Sequence, residues 1–180
     1  YERLGDLPAA EKNYRRGLSL APDDPDALNA MAVFLCQQKQ EAAEAMRDFD
    51  KALAVPASKS RSNRAMLYTN AGLCAKRADL ARAENYLREA LAFDPVYREA
   101  LLQLADVTLA RGNPLQARAF LERFLGVSPA ATPDALSLGY RIEGALGEKA
   151  AAARYAERLK KEFPESVQAR ELMEAERGGR

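Results

Sequence analysis

The sequence predicts an all-α fold, a solenoid of antiparallel helix pairs in a right-handed superhelix, and three observations indicate it. Prolines close apolar, alanine-rich segments of the 180-residue chain at spacings of 34, 39, 34 and 35 residues. Within each segment, apolar residues follow the i, i+4, i+7 spacing of one helix face. A second helical pattern, which combines large and small residues, precedes all but the first segment. An isolated helix pair would leave an apolar face exposed, so we expect the pairs to stack. The closing prolines are Pro22, Pro56, Pro95, Pro129 and Pro164.

Each helix of the predicted pairs has a recurring pattern of its own. The second helices carry Ala10, Tyr14 and Gly17; Ala45, Phe49 and Ala52; Ala83, Leu87 and Ala90; Ala117, Leu121 and Phe124; and Ala152, Ala156 and Leu159. The first helices carry Leu28, Met31 and Ala32; Tyr68, Ala71 and Gly72; Leu101, Leu104 and Ala105; and Leu136, Gly139 and Tyr140. Turn signals precede four second helices, at Gly5-Asp6, Ala78-Asp79, Gly112-Asn113 and Gly147. Small residues at fixed points let paired helices approach closely, and the large ones fill the gap between them.

This period of about 34 residues is the tetratricopeptide pattern, and a generic alanine-rich bundle would not keep it. We predict one tetratricopeptide-repeat domain over 1–180, ending in a polar-faced capping helix at 167–177. Its units run over about 1–24 (partial), 25–58, 65–97, 98–131 and 133–166. The unit at 25–58 has one extra residue between Leu35 and Ala45, and the unit at 65–97 is one residue short.

Composition and motifs argue against catalysis. The chain has no histidine, which excludes Ser-His-Asp triads and HExxH zinc sites. No phosphate-binding glycine motif is present. Lys and Arg total 27 against 26 Asp and Glu, so the chain lacks the net positive charge that is typical of nucleic-acid-binding proteins. We therefore predict that the chain is not an enzyme, uses no cofactor or metal, and binds no nucleic acid.

Cys36 and Cys74 form no CxxC motif and are predicted as small helix residues. They can form a disulfide bond only if the fold brings them together.

Binding is the remaining class of function. First helices line the concave groove of stacked pairs, and positions 5, 9 and 12 of each unit face it. The predicted partner-binding residues are Asn29, Val33, Thr69, Leu73, Lys76, Leu102, Asp106, Leu109, Ser137 and Arg141, with Cys36 at an equivalent position. The alternative for Val33, Leu73 and Leu102 is a role in the core between repeats. Such a mixed groove suits an extended or helical protein segment.

The lysine and asparagine of a chaperone-tail carboxylate clamp are missing from the clamp positions, which disfavours a co-chaperone role.

Three stretches resemble the type IV pilus biogenesis and stability lipoproteins, the pilotin-like proteins of the pilus secretin. They are VFLCQQKQEAAEAM (33–46), SRSNRAMLYTNAGLC (60–74) and LSLGYRIEGALGEKAAAARYAERLKKEFPES (136–166). The last stretch matches the family's final repeat at Leu138, Gly139, Arg141, Ile142, Ala151, Ala152, Tyr155, Phe163, Pro164 and Ser166.

The resemblance implies a periplasm-facing protein on the outer membrane that binds secretin subunits and promotes their placement and ring assembly. It implies membrane contact through a lipid anchor ahead of the repeats, with neither Cys36 nor Cys74 as the lipidated residue. Because the chain begins at Tyr1 inside a helical pattern, we expect a fragment or processed form. Two alternatives remain: a tetratricopeptide adaptor for another envelope or cytoplasmic complex, and self-association through the partial first repeat.

Overall fold

The computed structural model describes residues 6–59, 62–127 and 130–178, and every regular element within them is helical. The helices in chain order are α1 (Leu7–Leu20), α2 (Pro25–Phe34), α3 (Ala42–Ala54), α4 (Arg64–Ala75), α5 (Leu80–Phe93), α6 (Arg98–Ala110), α7 (Pro114–Val127), α8 (Pro133–Ala145), α9 (Lys149–Glu162) and α10 (Val167–Gly178). A π-helical turn (Leu35–Lys39) follows α2, and a short 3-10 helix (Ala57–Lys59) follows α3. The predicted all-α fold is confirmed. Gly5 and Pro129 of the predicted pattern lie outside the described residues.

The chain divides into two compact units, Tyr1–Ala100 and Leu101–Arg180, with the division inside α6. This division leaves the single domain and its repeat boundaries as predictions. Consecutive helices pack on one another within the first unit, from α1 against α2 to α4 against α5, and α2 also contacts α4. In the second unit α7 packs on α8, α8 packs on α9, and α10 packs on both α8 and α9.

Asp side chains cap the first turns of α1, α2 and α5. The carboxylates of Asp6 and Asp24 accept backbone N–H bonds of 3.0 and 2.9 Å from Ala9 and Ala27. Asp79 accepts two such bonds of 2.9 Å at the start of α5, at the predicted turn. These side chains satisfy N–H groups that have no partner inside the helix, which is why Asp and Asn are favoured there.

A π-helical turn lies where the predicted unit at 25–58 has its extra residue. The turn covers Leu35–Lys39, within the stretch that the repeat count identifies as one residue too long. The backbone N–H groups of Gln40 and Glu41 both donate to the Leu35 carbonyl, and Gln40 closes the turn with a φ of 58°. The last turn of this helix is therefore one residue wider than an α-helical turn.

Arg64 joins α4 to the end of α3. Its guanidinium donates to the carbonyl oxygens of Ala52 and Leu53 at 3.4 and 3.1 Å, and also to the carbonyl of Val55. The last carbonyls of a helix have no partner within it, and a cation there is also attracted to the negative end of the helix dipole. This cap fixes the start of α4, which carries residues of the candidate site.

The last helix covers the apolar end of the second unit. Ala169 and Leu172 of α10 join Leu136, Ala156 and Leu159 in one buried cluster. The remaining face of α10 is largely exposed. Its bounds, Val167–Gly178, differ by one residue from those of the predicted capping helix.

Candidate partner-binding site

A disulfide bond joins Cys36 of the π-helical turn to Cys74 of α4. The two Cα atoms lie 5.9 Å apart, and both residues are buried. The sequence made this pairing conditional on the fold. Because α2 and α4 are first helices of successive pairs and contact each other, their ends bring the cysteines within reach. The bond thus links the π-helical turn to α4, the first helix of the next pair.

A pocket of about 410 Å³ lies beside this disulfide in the first unit. Its lining residues are Val33, Cys36, Gln37, Phe49, Asn70, Leu73, Cys74, Lys76 and Arg77. Val33, Leu73 and Lys76 among them belong to the predicted groove, so the structure brings three predicted residues into one concave surface. Val33 and Leu73 are half-buried, which leaves part of each side chain open to a partner.

Two hydrogen bonds hold polar side chains of the pocket. The amide of Asn70 donates to Oδ1 of Asn29 at 2.9 Å, which links α4 to α2. The Arg77 guanidinium donates to the carbonyl oxygen of Cys36 at 3.0 Å, and so fastens the turn after α4 to the π-helical turn. Asn29, a predicted site residue, is buried and therefore positions Asn70.

Thr69 and Leu102 of the predicted groove are buried, as Asn29 is. Thr69 is 1% exposed, and its hydroxyl donates to the Ala65 carbonyl of its own helix at 2.6 Å. Leu102 is 8% exposed, as the core alternative required. Both side chains pack inside the protein, so we do not propose that they contact the partner.

The predicted residues of the second unit include an ion pair. Arg141 of α8 donates to the Asp106 carboxylate of α6 at 3.0 Å, and more than half of the Arg141 side chain is exposed. Leu109 and Ser137 are half-buried. The pair links two first helices, and an exposed pair of this kind contributes about 0–1 kcal/mol to stability.

Sequence reasoning missed Gln37, Asn70 and Arg77 as pocket residues. Counting positions 5, 9 and 12 along each regular repeat selects a different set of residues and omits these three. Gln37 lies in the π-helical turn, Asn70 lies on the regular helix α4, and Arg77 follows the end of α4. The extra residue between Leu35 and Ala45 was a signal for Gln37 alone, and no sequence signal marked Asn70 or Arg77.

No family model matches the chain. A curated relative, cellulose synthase operon protein C of Pseudomonas fluorescens (strain SBW25), is 32% identical over 142 residues, or 77% of this chain. The chain spans only 11% of that relative's length. No described helix has the length and apolar character needed to cross a membrane.

Solved structures give a fuller match. The type IV pilus biogenesis factor PilW is 30% identical, with a TM-score of 0.87 over 96% of this chain and 78% of that one. PilF of Pseudomonas aeruginosa is 23% identical, with a TM-score of 0.77 over 92% and 73% of the two chains, and shows the fold alone. Other tetratricopeptide proteins share this fold. The chain therefore belongs to the tetratricopeptide-repeat family of type IV pilus biogenesis factors that includes PilW.

Proposed function

We propose that the chain is a non-catalytic protein-binding scaffold of type IV pilus biogenesis, which assists outer-membrane localisation and multimerisation of the pilus secretin. The likeness to PilW over nearly the whole chain is the observation that carries this proposal. The partner would be a secretin segment, held at the pocket of the first unit. Tetratricopeptide helix pairs offer such surfaces to protein segments.

The proposed location is the periplasmic face of the outer membrane, reached through a lipid anchor on the full-length protein. The Cys36–Cys74 disulfide supports an oxidising compartment, because disulfides persist in the periplasm and are rare in the cytosol. Both cysteines are engaged in this bond, so neither serves as the lipidated residue.

Capture of detergent-solubilised pilus secretin by the full-length protein tests the proposal. Leu73→Glu places a carboxylate in the half-buried wall of the pocket and is expected to reduce capture at least tenfold. Leu20→Glu is the matched control, since the Leu20 side chain is 79% exposed and lies outside the predicted groove. Circular dichroism verifies that both variants fold. Equal capture by parent, Leu73→Glu and an unrelated tetratricopeptide domain would reject the proposal.

A second candidate function is an adaptor for another envelope complex. The 32% identity with a cellulose synthase operon protein favours it. Chemical crosslinking in cells that express both systems, followed by mass spectrometry, separates the two. Crosslinks to the secretin support the first function, and crosslinks to cellulose synthase subunits alone support the second.

A further inference from the structure

We propose that the pocket beside the disulfide binds a peptide segment in which a carboxylate adjoins an apolar side chain. This inference rests on the proposed protein-binding function and specifies the chemistry of the partner at one site. The pocket volume of about 410 Å³ lies within the range of about 300–1,000 Å³ typical of ligand sites.

The apolar part of the pocket comes from α2, α3 and α4. Val33 and Leu73 each leave part of their side chain exposed, while Phe49 is 1% exposed and contributes to the pocket wall. The disulfide between Cys36 and Cys74 adds a further apolar surface. Burial of an apolar peptide side chain here would supply about 25 cal/mol for each Å² removed from water.

The polar part of the pocket favours an anion. Lys76 and Arg77 carry positive charge, Gln37 and Asn70 carry amides, and none of the nine lining residues is acidic. The bond from Arg77 to the Cys36 carbonyl uses one of the five N–H donors of a guanidinium. The same bond holds the side chain at the pocket, and the planar fork suits a carboxylate.

The surroundings hold these groups in place before a partner arrives. The disulfide, the Arg77 bond to Cys36 and the Asn70 bond to Asn29 tie α2, its π-helical turn and α4 together. A site held in this way loses less conformational freedom on binding. The pocket also differs from the chaperone-tail clamp, whose positions here hold Asn29 with Val33 and Thr69 with Leu73.

Fluorescence anisotropy with labelled hexapeptides tests the proposal on the purified protein. One probe ends in leucine and aspartate, a second replaces the aspartate with asparagine and amidates the C-terminus, and a third replaces the leucine with serine. We expect the first probe to bind at least tenfold more tightly than either of the others. Raising the salt concentration should weaken binding of the first probe and leave the second nearly unchanged.

Two arginine variants test whether Arg77 causes the preference for the acidic probe. Arg77→Gln is expected to remove the preference for the acidic probe, whereas Arg16→Gln, at an exposed position of α1, should keep it. Circular dichroism checks both folds. If Arg77→Gln does not fold, the salt series and the probe comparison on the parent decide the question.

The proposal is overturned if the acidic and neutral probes bind equally, or if a folded Arg77→Gln variant retains the preference. Secretin capture without any preference among the probes would reject this inference and leave the proposed function standing. Preference for the acidic probe without secretin capture would reject the proposed function and leave the site.

Discussion

Gly72 of α4 lies directly against α5. A Cβ added there would stand 2.8 Å from Cγ of Leu87 and 3.3 Å from the Ala83 carbonyl oxygen. Leu87 is fully buried, so it has no open space into which to move. The large and small residues of the repeat pattern thus correspond to a real contact between paired helices.

We therefore expect Gly72→Ala to lower the free energy of unfolding by about 1–3 kcal/mol, the usual cost of overpacking a core. Gly17→Ala is the control, because a Cβ at Gly17 would meet no atom within 4 Å. In the interior of a helix that control should gain up to about 1 kcal/mol. Urea unfolding followed by circular dichroism measures both changes, and equal effects of the two substitutions would contradict the packing argument.

Asp48 gives the first unit a pH dependence. Burial raises the pKa of this carboxyl above its ordinary value of 3.8, and Glu44 adds to the rise, while Lys51 and Arg47 oppose it. Between the ordinary and the raised pKa, the folded state binds more protons than the unfolded state. The free energy of unfolding therefore increases as pH falls through this window.

Asp48→Asn removes the buried charge and is expected to raise the melting temperature at pH 7. The gain over the parent should shrink as pH is lowered through the raised pKa, since the parent carboxyl is then neutral as well. Thermal unfolding from pH 3 to pH 7 provides the test. A difference that stays constant over this range would show that the charge of Asp48 does not cause the effect.

At the scale of elements, the π-helical turn explains where sequence reasoning succeeded and where it failed. The helix pairs and the surplus residue between Leu35 and Ala45 followed from the 34-residue period. The way in which the chain absorbs that residue did not, because a wider turn, a bulge and a longer loop all satisfy the same count. The disulfide could not be predicted either, because the sequence does not show that the end of α4 lies beside the turn after α2.

The disulfide is expected to stabilise the first unit against unfolding. It closes a loop across 38 positions, for which the chain-entropy relation gives about 4 kcal/mol. Urea unfolding with and without a reductant should therefore show a lower midpoint when the bond is reduced. A variant that combines Cys36→Ala with Cys74→Ala should unfold early in both conditions. Identical midpoints for the oxidised and reduced parent would refute the expectation.

At the scale of the whole molecule, a repeat period predicts helices and their order better than it predicts a binding surface. The all-α fold depends on many small contributions spread along the chain, so the exact phase of a single turn hardly affects it. The pocket depends on a few individual positions, and it combines Leu73 of the predicted groove with Arg77, which the position count did not include.

The end of the second unit offers a test of how stability is distributed along the chain. Leu172 of α10 is 7% exposed and packs with Leu136 and Leu159, whereas Val167 at the start of the same helix is 54% exposed. Leu172→Ala is expected to lower the free energy of unfolding by about 2–5 kcal/mol. Val167→Ala is the control and should change it by no more than about 0.5 kcal/mol.

Hydrogen exchange shows where that stability is lost. Because repeat stability is approximately a sum of local and nearest-neighbour contributions, Leu172→Ala should reduce amide protection mainly in α8, α9 and α10. Protection of α2 to α4 should stay within the range of the Val167→Ala control. A uniform loss of protection over all the helices would instead show that the molecule unfolds as one cooperative block, and would rule out the local description for this chain.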